Sequence, residues 1–218
     1  VTTLAILGFF SIPNSKLIGY ALPVLPALAL LAAWGWQLGM AGKRHERGVF
    51  RALVGLAIAL AVLANLAASR YTQRHSSADV ARELACLKGP DDTVWLAGDY
   101  AYDLPFTAQL RAPMGVLQDW PHWRQSAGDN WRRELFEGAD FDAQAARALQ
   151  TPQALQKAAG QAGQWLVMPR EGVPELPADL AGFVPVFSGR AWALFKSPAT
   201  PEPTPAQQTC RVQRLNAQ

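Results

Sequence analysis

The chain has 218 residues, half of them hydrophobic, with 20 Lys+Arg against 17 Asp+Glu and a formal net charge of +3. Five of the cations (Lys16, Lys43, Arg44, Arg47, Arg51) and one anion (Glu46) lie in residues 1–69, so that stretch carries +4 and the remainder −1. The basic surplus therefore belongs to a nearly uncharged apolar third and not to a soluble face, which excludes a nucleic-acid binder; the apolar content excludes disorder.

Three runs lack any charge: residues 1–15, 17–42 and 52–69. A hydrocarbon core of roughly 30 Å takes about 20 apolar residues as helix. The runs accordingly predict the end of one span at about 1–12 and two full transmembrane helices at about 17–40 and 50–69. Between the last two lies a loop, residues 43–51, with four Lys/Arg (Lys43, Arg44, Arg47, Arg51). Positive charge that close to two spans predicts a cytoplasmic loop. By alternation the Ser11–Lys16 turn and everything after Arg70 are expected on the outer side. Trp34 and Trp36 suit the interfacial aromatic belt. Pro23 and Pro26 fall inside the second span, where each removes a backbone donor, so a kinked helix packed in a bundle is expected. No Lys or Arg precedes the first run, which is unlike a signal peptide. The missing initial Met suggests a piece of a longer membrane protein.

From Arg70 the composition becomes that of an ordinary globular domain. Ser76 and Ser77 before Ala81–Leu87 predict a capped helix. Thr93–Ala97 and Trp165–Met168 are short apolar runs of buried-strand type, and Gly115–Gln118 is a weaker one. Phe141–Leu149 and Pro152–Ala159 read as helices, with Thr151 as N-cap of the second. Phe183–Phe187 and Ala191–Phe195 around Ser188-Gly189-Arg190 predict a hairpin. Strands alternating with helices predict a small α/β domain over residues 70–196. The tail, residues 197–218, begins with Pro198, Pro201, Pro203 and Pro205, which predicts a stiff extended linker over Ser197–Thr209.

Cys86 and Cys210 are the only cysteines. Both fall in the part expected outside, where an even pair favours a disulfide over two unrelated thiols. Neither shares a ligand spacing with His45, His75 or His122, so no metal site is expected.

Residues Phe9 to Leu31 read FFSIPNSKLIGYALPVLPALALL. This stretch resembles the FFS-x-x-x-SKLP-x-Y-x-LP-x-x-P-x-LALL segment of bacterial GT-C type, polyprenyl-phosphate-dependent glycosyltransferases, which include aminoarabinose transferases and protein O-mannosyltransferase relatives. Ser11, Ser15, Lys16, Leu17, Tyr20, Leu22, Pro23 and Pro26 match; Ile18 stands where the family commonly has Pro. Tyr100–Phe106 (YAYDLPF) is similar to the family's Y-x-x-D-LPF segment. The resemblance implies a membrane α-helical segment followed by a small extracytoplasmic α/β domain, in a multi-pass protein of the bacterial inner membrane. It also implies transfer of a sugar from a polyprenyl-phosphate donor to a lipid or protein acceptor on the outer face. The family's catalytic acid would lie upstream of residue 1, so no catalytic residue is expected here.

Lys16, at the outer end of a span, either snorkels to the interface or pairs with an anion such as the donor phosphate. Tyr20, one turn deeper on the same face, is a second candidate for that group or a member of the aromatic belt. In the outer domain, Tyr100 and Asp103 follow a strand end, the usual place for sites in α/β folds. Trp120 and Trp123 lie in a stretch mixing indoles, carboxylates and guanidinium groups. All four are candidates for sugar or acceptor contact, with packing as the competing role. A membrane-anchored outer domain that binds a polymer or partner without catalysis is the alternative function.

Overall fold

The computed structural model describes residues 22, 24–171 and 182–215. The chain divides into two compact units, Val1–Ser69 and Arg70–Gln218. In the first, helix α1 (Leu25–Gly39) and helix α2 (Glu46–His75) flank the basic turn. The turn closes through Gly42, whose φ of +77° suits glycine and whose N–H donates to a Glu46 carboxylate oxygen at 2.7 Å. Across it the Trp36 and Phe50 rings meet edge to face with centroids 5.8 Å apart. Neither helix has a buried residue. An apolar surface exposed all round seeks lipid or other helices.

At about 1.5 Å per residue the 30-residue α2 reaches roughly 45 Å, and among the described residues it is the one helix long and apolar enough to cross a membrane. The 15-residue α1 reaches roughly 22 Å, short of a full crossing. Of the two full transmembrane helices expected, the described residues show one helix of that length, α2, and one shorter apolar helix; residues 17–21 and 23 of the expected 17–40 span lie outside them. The expected span at 1–12 lies outside them.

The second unit is built on one six-stranded sheet in the order β3-β2-β1-β4-β6-β5. Its strands are β1 (Thr93–Ala97), β2 (Gly115–Leu117), β3 (Leu149–Gln150), β4 (Gln164–Pro169), β5 (Val184–Ser188) and β6 (Trp192–Lys196). The first four run parallel, while β6 pairs antiparallel with β4 and β5 with β6. β1 and β4 read as continuous apolar runs because both of their faces are covered. Alternation divides them cleanly. Val94, Leu96, Trp165, Val167 and Leu194 face helix α3 (Ala78–Leu87), the Ala101–Ala108 segment, Trp120 and Phe136. Trp95, Ala97, Leu166, Met168 and Phe195 face the other side, with Leu155 and Ala158 of the helix Pro152–Ala158. The helices after α3 are α4 (Leu104–Thr107), α5 (Trp120–Ser126), α6 (Trp131–Phe141), α7 (Ala143–Ala146), α8 (Pro152–Ala158) and α9 (Pro205–Leu215).

Several local expectations differ from the structure. The expected helix over Phe141–Leu149 is instead the end of α6, the single turn α7 and strand β3. Asp142 breaks the run, since its side chain accepts from the Gln144 N–H and caps α7. Ser77 stands at the N-cap of α3, but its hydroxyl is drawn away to Asp103. The tail is not an extended linker throughout. Ser197 and Thr200 are buried and share a hydrogen bond, Lys196 pairs with Glu202, and helix α9 starts at Pro205. Cys210 of α9 is joined to Cys86 of α3 by a disulfide. On either side of that bridge Gln207 donates to the Leu87 carbonyl and Arg211 pairs with the buried Glu83. The three prolines before Pro205 do not prevent a helix, and Pro205 itself at the first position has no intrahelical donor to lose.

Candidate functional site

The strand order reverses at β1. The chain leaves β1 toward β2 and β3 on one side, whereas β4, β6 and β5 lie on the other. In an open α/β sheet a crevice forms outside the carboxyl ends of the two strands that flank such a reversal. Here these ends are Ala97 of β1 and Pro169 of β4. The residue after β1 is Gly98, with φ of +83°, and a Cβ there would stand 2.9 Å from the Pro169 ring. Only glycine allows the two strand ends to approach this closely.

Beyond that pinch lies an open cleft of about 940 Å³. Its walls come from the last turn of α2 (Tyr71, Arg74, His75), the segment after β1 (Asp99, Tyr100, Tyr102, Asp103), the end of β4 (Arg170, Glu171) and the β5–β6 hairpin (Arg190, Trp192). A second hollow of about 690 Å³ shares Thr72, Ser76, Arg170 and Arg190 with the first. Arg170 and Arg190 thus stand between the two, neighbours because the Arg170 N–H donates to the Ala191 carbonyl at 2.8 Å.

A polar anchor stands in each of the two hollows. Asp103 accepts from the hydroxyls of Ser76 and Ser77 at 2.5 Å each, and from the Ser77 N–H at 3.1 Å. Burial opposes ionisation of this carboxyl, but the serine donors outweigh it and hold it below the usual carboxylate range. In the second hollow Asp79 accepts from the Arg190 N–H at 2.7 Å. A Cβ at Gly189 would stand 2.5 Å from an Asp79 carboxylate oxygen, so a side chain there would displace that carboxylate. The Trp192 indole N–H donates to the His75 carbonyl at 3.0 Å, satisfying one of the acceptors that a helix end leaves open.

The aromatic residues continue along the carboxyl edge of the sheet. The Tyr102 and Tyr100 rings are 4.9 Å apart, Tyr100 and Trp131 5.5 Å. The Arg132 guanidinium then lies 4.3 Å from the ring centroids of both Trp131 and Trp123. Its Nη2 also donates to the Gly98 carbonyl at 3.5 Å. Burial raises the Tyr100 phenol above its ordinary value. Burial, then the charges of Glu134 and Asp99, do the same for Tyr102.

Of the outer-domain candidates read from the sequence, Tyr100 and Asp103 line the cleft. Trp123 lies outside it, its ring engaged by Arg132. Trp120 is corrected to a core residue. It is 5% exposed, and its indole N–H donates to the carbonyls of Gln150 at 2.9 Å and Val116 at 3.2 Å. No face of it is left for a sugar. Lys16 and Tyr20 lie outside the described residues. Sequence reasoning missed Arg74, Arg170 and Arg190, which share no motif; the position of Arg170 directly after a strand end was the one available signal. Among the described residues no cluster of three or more His, Cys, Asp or Glu is placed to hold a metal ion.

No protein-family model and no curated protein matches the chain. Its structure is similar to that of ArnT from Cupriavidus metallidurans, a GT-C glycosyltransferase, in the apo state with a TM-score of 0.55 and 21% identity. It is similar also to ArnT from the same organism bound to undecaprenyl phosphate, with a TM-score of 0.56 and 20% identity. Each match covers 92% of this chain and 46% of the ArnT chain, so this chain spans about half the length of the structures it matches. At such identity the likeness is one of fold.

Proposed function

We propose that the chain is the C-terminal part of an integral-membrane glycosyltransferase of the bacterial inner membrane. The whole protein transfers a sugar from a polyprenyl-phosphate donor to a lipid or protein acceptor on the outer face. The observation that carries this reading is a fold likeness to ArnT over 92% of the chain, one of the two ArnT structures holding undecaprenyl phosphate. The family-like text of residues 9–31 points the same way. In this reading residues 1–69 form part of the lipid-facing cavity, with spans near 17–40 and 50–69. Residues 70–196 form the extracytoplasmic domain. The general base is supplied by chain upstream of Val1.

Lys16 would then meet the donor phosphate at the outer membrane surface, with Tyr20 one turn below it. A charge-assisted contact to phosphate is among the stronger hydrogen bonds. Its loss costs about 1.5–3 kcal/mol, or roughly 10- to 100-fold in binding. In the full-length parent, Lys16→Ala should therefore lower transfer from a polyprenyl-phosphate sugar by that factor while leaving thermal stability nearly unchanged. Lys16→Arg should recover part of it. Wild-type turnover by Lys16→Ala would make the residue an interface marker. A full-length parent that transfers no sugar would favour the anchored binding domain.

A further inference from the structure

The outer domain begins where α2 leaves the uncharged run 52–69. Arg70 is the first charge after that run, so the hydrocarbon edge falls at about that residue. From Arg70 to Ser76 the chain rises roughly 9 Å at most, against a headgroup layer of about 5–8 Å. Whatever is tied to Ser76 and Ser77 is therefore held at the membrane surface. Asp103 is tied there, because it accepts from both serine hydroxyls. The single turn α4 follows it directly, and the Trp192 indole holds the β5–β6 hairpin to the His75 carbonyl at the same level.

That turn presents its ring outward. Leu104 and Ala108 lie one turn apart and are fully buried. Phe106 stands midway between them, so it points away from the core and is 84% exposed. Tyr102 is 62% exposed just before the turn, and Tyr71 is 66% exposed near the end of α2. Three exposed rings thus belong to the two segments joined where α2 leaves the hydrocarbon, which is the composition of an interfacial belt. The charges agree. Residues 70–78 and 104–118 hold Arg70, Arg74 and Arg111, all exposed, and no Asp or Glu, although residues 70–218 carry −1 overall. Asp103 is turned inward to its serines. Asp99 and Glu134 lie near the Tyr102 phenol, which keeps that ring at the wet rim and leaves Phe106 the deepest.

We propose that this rim is a membrane-contact surface that rests on the bilayer beside α2. Phe106 enters the boundary between headgroups and acyl chains. Tyr102 and Tyr71 lie at headgroup level, and Arg70, Arg74 and Arg111 meet anionic lipid phosphates. Aromatic residues with neighbouring cations take up such shallow positions, and each cation near an anionic surface adds to the attraction. The surface gives the outer domain a second hold on the membrane besides its chain connection. It rests on α2 crossing the bilayer and asks nothing of the transferase reading.

The test uses the whole chain in vesicles of phosphatidylethanolamine and phosphatidylglycerol. Cys86 and Cys210 are joined, so a nitroxide label goes to the one new thiol of Phe106→Cys, Tyr102→Cys or Asp91→Cys. Asp91 is exposed beside the amino end of β1, the opposite edge of the sheet from α4. Collision rates with oxygen, which concentrates in lipid, and with a water-soluble nickel chelate then report depth. The oxygen-to-nickel ratio at 106 should exceed that at 91 several-fold, with 102 between them. Replacing phosphatidylglycerol by phosphatidylcholine should lower the ratio at 106, and so should Arg74→Gln with Arg111→Gln. All of the substituted side chains are exposed, so unfolding temperatures should match wild type. A ratio at 106 equal to that at 91 would overturn the proposal. So would a label at 106 shielded from both reagents, because protein would then cover the face. A ratio indifferent to phosphatidylglycerol and to the arginines would overturn the lipid-phosphate contact. A chain stripped from the vesicles by carbonate would overturn the span itself, a distinct result, and a failed transferase assay bears on none of these.

Discussion

Asp103 shows how one carboxylate organises the cleft. It lies 26 residues from Ser77 in sequence, yet it accepts from two hydroxyls and one backbone N–H at the start of α3. Replacing it with Ala leaves two part-buried serine hydroxyls without their acceptor, which costs on the order of 1–3 kcal/mol. The same geometry dictates a pH dependence. Its carboxyl is held below the ordinary range in the folded state, so its contribution is fully present above the unfolded value of about 3.9 and is lost as pH falls through the folded value. Thermal unfolding followed by tryptophan fluorescence should place Asp103→Ala well below wild type at pH 7. The gap should shrink once the pH drops below about 4. An unchanged gap at both pH values would mean the carboxylate acts by packing alone. The sequence placed Asp103 at a strand end and near Tyr100, but nothing in it revealed that Ser76 and Ser77 would be its partners.

Among the elements, α9 depends most on a single covalent link. Its contacts with α3 are the Cys86–Cys210 bridge, the Gln207 bond to Leu87 and the Arg211–Glu83 pair. The bridge closes a separation of 124 residues. In the chain-entropy description that stabilises the domain by about 4–5 kcal/mol, with less often realised in practice. Non-reducing peptide mapping should recover the linked pair from exported protein. Cys86→Ser with Cys210→Ser should lower the unfolding temperature and make the α9 amides exchange faster than those of β4. Protection of α9 unchanged by the double substitution would assign its anchorage to Glu83 and Leu87 instead. The proline-rich start of the tail hid this helix, because proline spacing signals extended chain and the packing of Ser197 and Thr200 onto Gln161 and Gly163 is long-range. The two-residue β3 was equally illegible. A strand that short has no periodicity, and only its pairing with Val116 and Leu117 makes it one.

For the whole molecule, the membrane reading makes a prediction of its own. Four Lys/Arg within residues 43–51 bias that loop to the cytoplasm. Reporter fusions at Gly48 should be active only as cytoplasmic reporters and fusions after Arg74 only as exported ones. The reverse pattern would overturn the orientation, and with it the oxidising compartment expected for the cysteines. α2 is long and apolar enough to separate the two fusion points by a membrane.

The sequence by itself determined what depends on local composition. Uncharged runs marked the apolar helices. The short apolar stretches 93–97 and 165–168 marked β1 and β4, and the change at Arg70 separated a globular domain from an apolar third. These signals are local because hydrophobic burial acts on consecutive or periodic residues. The tertiary structure alone decided the strand order, and therefore where the order reverses and a crevice opens. It turned Trp120 into the core, diverted the Ser77 hydroxyl to Asp103, and assembled Arg74, Arg170 and Arg190 around Tyr102. Those arginines are separated by up to 116 positions in the chain. Spatial convergence over such a distance leaves no periodic trace in the sequence, because it comes from sheet topology and not from any local preference.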